Sequence, residues 1–253
     1  MTDTIENILI TGASSGIGEA LAEYYAKNGA KNLFLSGRNA QRLNDVAKRC
    51  QKHGSNVFPK IIDVSNREEM AQWIADCDKI APLNLVFANA GVSTGEENPT
   101  NIYNTFNTNV MGVLNTVTPT VELYKNTPRQ KQIIAITASI AGYHGLPSCP
   151  SYSATKACVK AYGEALRGSL KEHKIQVNII CPGFVKSRIT DKNTCPMPFF
   201  MQADKAAEII AAGIEKNSSL IAFPWPMRLA VWFMSSLPNC ISDFIYGSLP
   251  HKV

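Results

Sequence analysis

Tyr152 and Lys156 stand four residues apart in Tyr152-Ser153-Ala154-Thr155-Lys156, a spacing that places both side chains on one face of a helix. A free phenol titrates near about pH 10, and a fixed ammonium beside it favours the phenolate. The pair is therefore expected to bring Tyr152 toward working pH as a proton donor or acceptor. Tyr-x-x-x-Lys also arises by chance on surface helices. What sets this copy apart is its company: Ser139 closes the apolar run Ile136-Thr137-Ala138-Ser139, and a glycine-rich turn opens the chain.

That turn is Gly12-Ala13-Ser14-Ser15-Gly16-Ile17-Gly18, between an apolar run, Asn7 to Thr11, and a helical pattern that continues through Lys27. Strand, glycine turn and helix in this order let backbone approach a pyrophosphate, with the helix N-terminus offering unpaired N–H groups. The spacing Gly-x-x-x-Gly-x-Gly differs from the Gly-x-Gly-x-x-Gly dinucleotide fingerprint. A second strand, Asn32 to Ser36, ends at Gly37-Arg38 with no carboxylate among the three residues that close it. An acid at this place takes the ribose hydroxyls, whereas an Arg accommodates a 2'-phosphate. Arg38 thus favours NADP(H) over NAD(H), the alternative being a solvated charge at the start of the next helix. Asp63, after a third strand from Val57 to Ile62, has two roles open to it: accepting from an adenine amino group, or capping the helix that begins near Asn66.

The whole chain, 253 residues with 45% hydrophobic and 18% charged side chains, suffices for one domain with a full core. The net charge of +5 is spread among acids, which suits a phosphate-bearing ligand or an anionic surface and does not suggest nucleic acid. Seven cysteines with no Cys-x-x-Cys, and four histidines that do not cluster with them, point to reduced thiols in a cytoplasmic protein with no structural metal. The first residues, Met1 to Glu6, are polar and run directly into Ile8-Leu9-Ile10, without the pattern of a signal peptide.

Further strands are expected at Leu83 to Ala88, closed by Asn89-Ala90-Gly91, at Lys131 to Thr137, at Ile175 to Ile180, closed by Cys181-Pro182-Gly183, and at Ser219 to Phe223. Helices are expected through about His53, from Ile102 to Lys125, from Tyr152 to His173 and from Gln202 to Lys216. The second of these holds Asn107, Asn109 and Gly112, an odd set for a helix interior, and Pro119, which requires a kink or a restart. Alternating strands and helices predict an α/β fold, a Rossmann-type doubly wound parallel sheet in a single domain, residues 1–253. Ligands of such sheets lie at the carboxyl ends of the strands, where Gly12, Gly37, Asp63, Asn89, Ser139 and Gly183 all fall.

On these motifs the chain resembles the short-chain dehydrogenase/reductase family, in its single-domain branch, from about Asn7 to Phe223. The match rests on Thr11-Gly12-x-x-x-Gly16-x-Gly18, Asn89-Ala90-Gly91, Asn109, Ser139 with Tyr152 thirteen residues on, Lys156, and Pro182-Gly183. The resemblance implies that Tyr152 is the general acid/base and that Ser139 hydrogen-bonds the substrate oxygen. Lys156 would bind the nicotinamide ribose and tune the tyrosine, and Asn109 would hold a water in a proton relay behind it. Cofactor contacts are implied at Gly12, Ser14, Ser15, Gly16, Ile17, Gly18, Arg38, Asp63, Val64, Asn89, Ala90, Gly91, Pro182, Gly183, Val185 and Ser187, with Asn89 mainly bracing the sheet. Ser187 replaces a frequent threonine that bonds the carboxamide, and its hydroxyl can do the same. The implied activity is NADP(H)-dependent interconversion of a carbonyl and an alcohol. A dinucleotide-binding or redox-sensing protein without turnover is the alternative, because fold alone does not dictate reaction.

On the substrate side, Tyr143, His144 and Leu146 follow the serine, and Phe184 opens the segment 184–216, which carries Met197, Phe199, Phe200 and Met201. They suggest apolar walls and hence an apolar small-molecule substrate, with Phe184 and His144 as candidate contacts to it; a solvent-exposed His144 is the alternative, and the Met and Phe cluster would serve equally as core or as a lid. The tail 224–253 contains Met227-Arg228-Leu229-Ala230-Val231-Trp232-Phe233-Met234, too short to span a bilayer, which needs about 20 apolar residues. It is expected to close a homodimer or homotetramer interface, with peripheral membrane contact as the second option.

Overall fold

The computed structural model describes residues 5–193, 196–238 and 241. Its centre is a sheet of seven parallel strands in the order β3-β2-β1-β4-β5-β6-β7. The strands are β1 (Asn7–Ile10), β2 (Asn32–Gly37), β3 (Asn56–Ile61), β4 (Leu85–Ala88), β5 (Ile133–Thr137), β6 (Gln176–Pro182) and β7 (Leu220–Phe223). The middle strands β4 and β5 are buried at every position, as expected where helices cover both faces of a parallel sheet. Pro59 sits in β3, an edge strand whose residues are mostly exposed, where a missing backbone donor costs no ladder bond.

Among the described residues seven α-helices connect the strands and an eighth follows the last of them: α1 (Gly16–Lys27), α2 (Ala40–Gln51), α3 (Arg67–Ile80), α4 (Pro99–Phe106), α5 (Gly112–Asn126), α6 (Pro150–Ser169), α7 (Ala203–Glu215) and, after β7, α8 (Trp225–Ser235). One apolar layer joins α1, α2 and α7 to one sheet face through Leu21, Leu43, Val46, Ile210 and Ile214. A second joins α3, α5 and α6 to the other through Met70, Ile74, Val113, Val117 and Val159. Several helix starts are set by asparagines: Asn39, Asn66 and Asn98 accept from the backbone N–H groups of Arg42, Glu69 and Asn101. Asn66, not Asp63, caps α3. Asp63 instead accepts from Ser65 N at 3.0 Å and Ser65 Oγ at 2.8 Å, which excludes the capping role considered for it.

The single helix expected from Ile102 to Lys125 is in fact three pieces, α4, a π-helical turn at Asn107–Met111, and α5. A π turn inserts an extra residue and changes which side chains face inward. Here it leaves Thr108 and Asn109 buried. Pro119 lies inside α5 without ending it. Its neighbours satisfy carbonyls with hydroxyls: Thr116 Oγ1 donates to Gly112 O and Thr120 Oγ1 to Thr116 O, both at 2.7 Å.

Candidate active site

β1 and β4 are adjacent but run to opposite halves of the sheet, the point at which doubly wound sheets open a crevice. A cavity of about 710 Å³ occupies that crevice. It is built first by the β1–α1 turn. Gly12 adopts φ +69°, and a β-carbon there would lie 2.8 Å from Ala90 Cα. A β-carbon on Gly18 would collide with Gly12 O and come within 2.7 Å of Asn89 Nδ2. These contacts draw the start of α1 against β4, so that Ser14, Ser15, Gly16 and Ile17 present the turn to the cavity.

Thr11 and Asn89 lace the strand ends together. Thr11 Oγ1 donates to Phe87 O at 3.1 Å and accepts from Asn89 N at 3.0 Å and Ala90 N at 3.1 Å. Asn89 Nδ2 donates to Thr11 O at 3.0 Å, and Asn89 Oδ1 accepts from Thr137 Oγ1 at 3.2 Å. Thr11 belongs to the glycine motif, yet nothing in its sequence position alone shows that its hydroxyl ties the end of β1 to the end of β4.

At the end of β2, Ser36, Gly37, Arg38, Asn39 and Arg42 form one end of the cavity. Arg38 lies 3.6 Å from Asp63 in an exposed ion pair. Burial would raise the Asp63 carboxyl, but the N–H and hydroxyl of Ser65 and the Arg38 guanidinium outweigh it and hold the group below its ordinary value. Two polar atoms at this end, Ser36 Oγ and Arg42 Nε, are buried and have no hydrogen-bond partner. Arg42 was not singled out from sequence. The signal was present in the Asn39 cap, which starts α2 there and places Arg42 in its first turn. Val64, Ala90, Gly91, Pro182, Gly183, Val185 and Ser187 also line the cavity.

Deeper in, α6 delivers Tyr152 and Lys156, and Ser139 stands two residues beyond the end of β5, at the start of a 3-10 turn. Ser139 lines the cavity together with Tyr152; its hydroxyl accepts from Ala141 N at 3.1 Å and approaches Pro182 O at 3.4 Å. Lys156 Nζ lies 5.8 Å from the centre of the Tyr152 ring and donates to Thr137 O at 2.9 Å. The expected lowering of the phenol pKa by the lysine is overturned. Burial dominates and pushes Tyr152 up to about 12, partly countered by the neighbouring Ser139 hydroxyl. Burial also pushes Lys156 down to about 8.

Asn109 is fully committed through its side chain. Its Oδ1 accepts from Val92 N at 2.8 Å, and its Nδ2 donates to Val92 O at 2.9 Å and Thr155 Oγ1 at 3.1 Å.

The expected substrate walls need correction. Val92, Ser93, Thr94 and Asn101 share the cavity with Tyr152, whereas His144 and Phe184 are half-buried outside its lining. The cause is the 3-10 turn Ile140–Gly142, which folds the chain after Ser139 back onto α6: a β-carbon on Gly142 would lie 2.6 Å from Lys156 C. Tyr143 is carried with it beneath Lys160, whose Nζ sits 4.9 Å from the ring centre. Phe184 is engaged through its carbonyl, which accepts from Met201 N at 2.9 Å. Met201 packs on the α1–α7 core, while Phe199 and Phe200 are exposed. Thr194 and Cys195 of this segment lie outside the described residues.

A family model described as short chain dehydrogenase matches residues 6–196. An oxidoreductase from Myxococcus xanthus whose role is uncharacterised is 34% identical over 241 residues, covering 93% of this chain and 94% of its own. Among solved structures, a short chain dehydrogenase/reductase from Burkholderia phymatum in complex with NAD superposes with a TM-score of 0.83 at 23% identity, over 100% of this chain and 99% of the other. A short-chain dehydrogenase from Sphingobium yanoikuyae in complex with NADPH gives a TM-score of 0.80 at 22% identity, over 92% and 97%.

Proposed function

The chain belongs to the short chain dehydrogenase family and is an oxidoreductase of that family, and from that premise we propose that it interconverts a carbonyl and an alcohol using NADP(H). The observation that best supports this is the convergence of Ser139, Tyr152 and a buried Lys156 in one cavity with the β1–α1 turn. The cavity fits a dinucleotide: its glycines admit backbone where a β-carbon would fill the space, and α1 begins at its edge. Preference for the phosphorylated cofactor is supported by Arg38, by the absence of a carboxylate at the β2 end, and by the unpartnered Ser36 Oγ and Arg42 Nε. A 2'-phosphate would supply acceptors for both.

When bound, the reduced cofactor supplies hydride to the carbonyl carbon. Tyr152, protonated at neutral pH, gives its hydroxyl proton to the carbonyl oxygen. Ser139 donates a hydrogen bond to the same oxygen as negative charge develops. Lys156 stabilises the phenolate left on Tyr152 and holds the nicotinamide ribose, and Asn109 keeps the Val92 segment and Thr155 in register behind it.

We further propose an apolar substrate, a cytoplasmic location suggested by the cysteine usage, and a homodimer or homotetramer in which α8 takes part. No helix among the described residues is long and apolar enough to cross a membrane. A turnover screen of aldehydes, ketones, sterols and acyl thioesters with NADPH and NADH tests the core of the proposal. Oxidation of neither cofactor by any carbonyl, in protein that binds NADPH, would leave the sensor alternative standing.

A further inference from the structure

The helix that carries Tyr152 lacks a cap of its own. Cys149, at the cap position of α6, makes no side-chain capping bond, and Pro150 at the first helical position has no N–H. The first donor that needs an acceptor is Ser151 N–H. It is met from 54 residues away in sequence: Glu97 Oε1 accepts from Ser151 N at 3.1 Å and from Ser151 Oγ at 2.7 Å. Ser151 is buried, and a carboxylate at a helix N-terminus is favoured by the helix dipole as well as by the two bonds. Glu97 ends a short segment that begins at Val92, and Val92, Ser93 and Thr94 line the cavity beside Tyr152. The other end of that segment is gripped by Asn109 through both backbone groups of Val92. Thr94 Oγ1 is held 3.1 Å from Thr105 Oγ1 of α4.

We propose that Glu97 is a positioning residue that fastens segment 92–98 to the first turn of α6, so that the substrate-side wall and the proton donor keep one mutual geometry. The proposal rests on Tyr152 being the proton donor. Glu97→Ala removes the acceptor, and the expected result is a fall of about 10-fold in kcat, the scale of a lost charge-assisted hydrogen bond, with the NADPH dissociation constant unchanged. Glu97→Gln keeps Oε1 as an acceptor and is expected to recover most of the rate. Glu97→Ala with kcat within twofold of the unaltered enzyme, or Glu97→Gln as slow as Glu97→Ala, would overturn the proposal. If the unaltered protein reduces no carbonyl, the reductase function fails separately. The strap is then decided by amide exchange: Glu97→Ala should accelerate residues 92–98 and Ser151 together while Glu97→Gln does not, and unchanged exchange in both places would refute it.

Discussion

Tyr152 and Lys156 move in opposite directions on burial, the phenol up to about 12 and the ammonium down to about 8, because in each case the charged form is the one penalised. Tyr152 is thereby a proton donor across neutral pH, which suits reduction. Tyr152→Phe should abolish turnover while leaving NADPH binding nearly unchanged, since it removes the proton and keeps the ring; retention of more than a small fraction of the rate would sink the assignment. The lysine shift has a thermodynamic sign. Between about pH 8 and 10 an unfolded lysine holds a proton that the folded one has released, so the contribution of Lys156 to the stability of the ligand-free protein rises with pH. The buried thiols Cys50, Cys77 and Cys181, pushed up to about 12, act oppositely above about pH 9, and the Tyr152 phenol above about pH 10, because the folded groups keep protons that the unfolded ones lose. The lysine is therefore read as a difference: between about pH 7.5 and 9.5 the denaturant midpoint of Lys156→Met should fall relative to that of the unaltered protein. Arg38→Ala is expected to weaken NADPH by about 10- to 150-fold, the value of one charge-assisted bond of about 1.5–3 kcal/mol, and NADH far less. Equal losses, measured by fluorescence titration, would make Arg38 structural. Combining it with Gly37→Asp should move the preference toward NADH.

At the scale of elements, the site depends on how β1, β4 and β5 end side by side. Thr11→Ala leaves the N–H groups of Asn89 and Ala90 without their acceptor. Each unmet buried group costs about 1–3 kcal/mol, so a lowered urea midpoint together with weaker NADPH binding is expected, and an unchanged midpoint would show that water replaces the hydroxyl. The π turn is a second such device. Replacing it by regular helix would rotate Asn109 out of reach of Val92 and Thr155, which explains an asparagine in a helix that propensity alone disfavours, while Gly112 is required because a β-carbon there would collide with the Val64 side chain. Those residues are legible in sequence as oddities; their purpose requires partners far away in the chain, Val92 for the asparagine and Val64 for the glycine.

For the molecule as a whole, α8 is the feature that the nucleotide-binding sheet does not need. Met227 and Val231 pack on the core below it, while Trp225, Leu229, Trp232 and Phe233 are 74%, 56%, 59% and 58% exposed. Most of the remaining tail, including residues 242–253, lies outside the described residues. If this face closes a subunit interface, Leu229→Arg with Trp232→Arg should lower the sedimenting mass without disturbing far-ultraviolet circular dichroism. Unchanged mass, with loss of binding to anionic vesicles in the double variant, would assign the face to a membrane surface instead.

Sequence by itself determined the sheet, because short apolar runs alternating with amphipathic helices admit little besides a doubly wound fold. It also determined the positions of Gly12, Ser139, Tyr152 and Lys156 at strand ends and on one helix face, because those follow from local spacing. Boundaries moved by a residue or two, as at β6, which reaches Pro182. Tertiary structure alone decided the quantities that depend on what surrounds a group. Burial reversed the expected titration of Tyr152, since desolvation is set by neighbours remote in sequence. The turn after Ser139 took His144 out of the cavity and left its wall to residues 92–94 and Asn101. The partners of Asn109 and Ser151 were likewise fixed by contacts between separate elements, which no local pattern encodes.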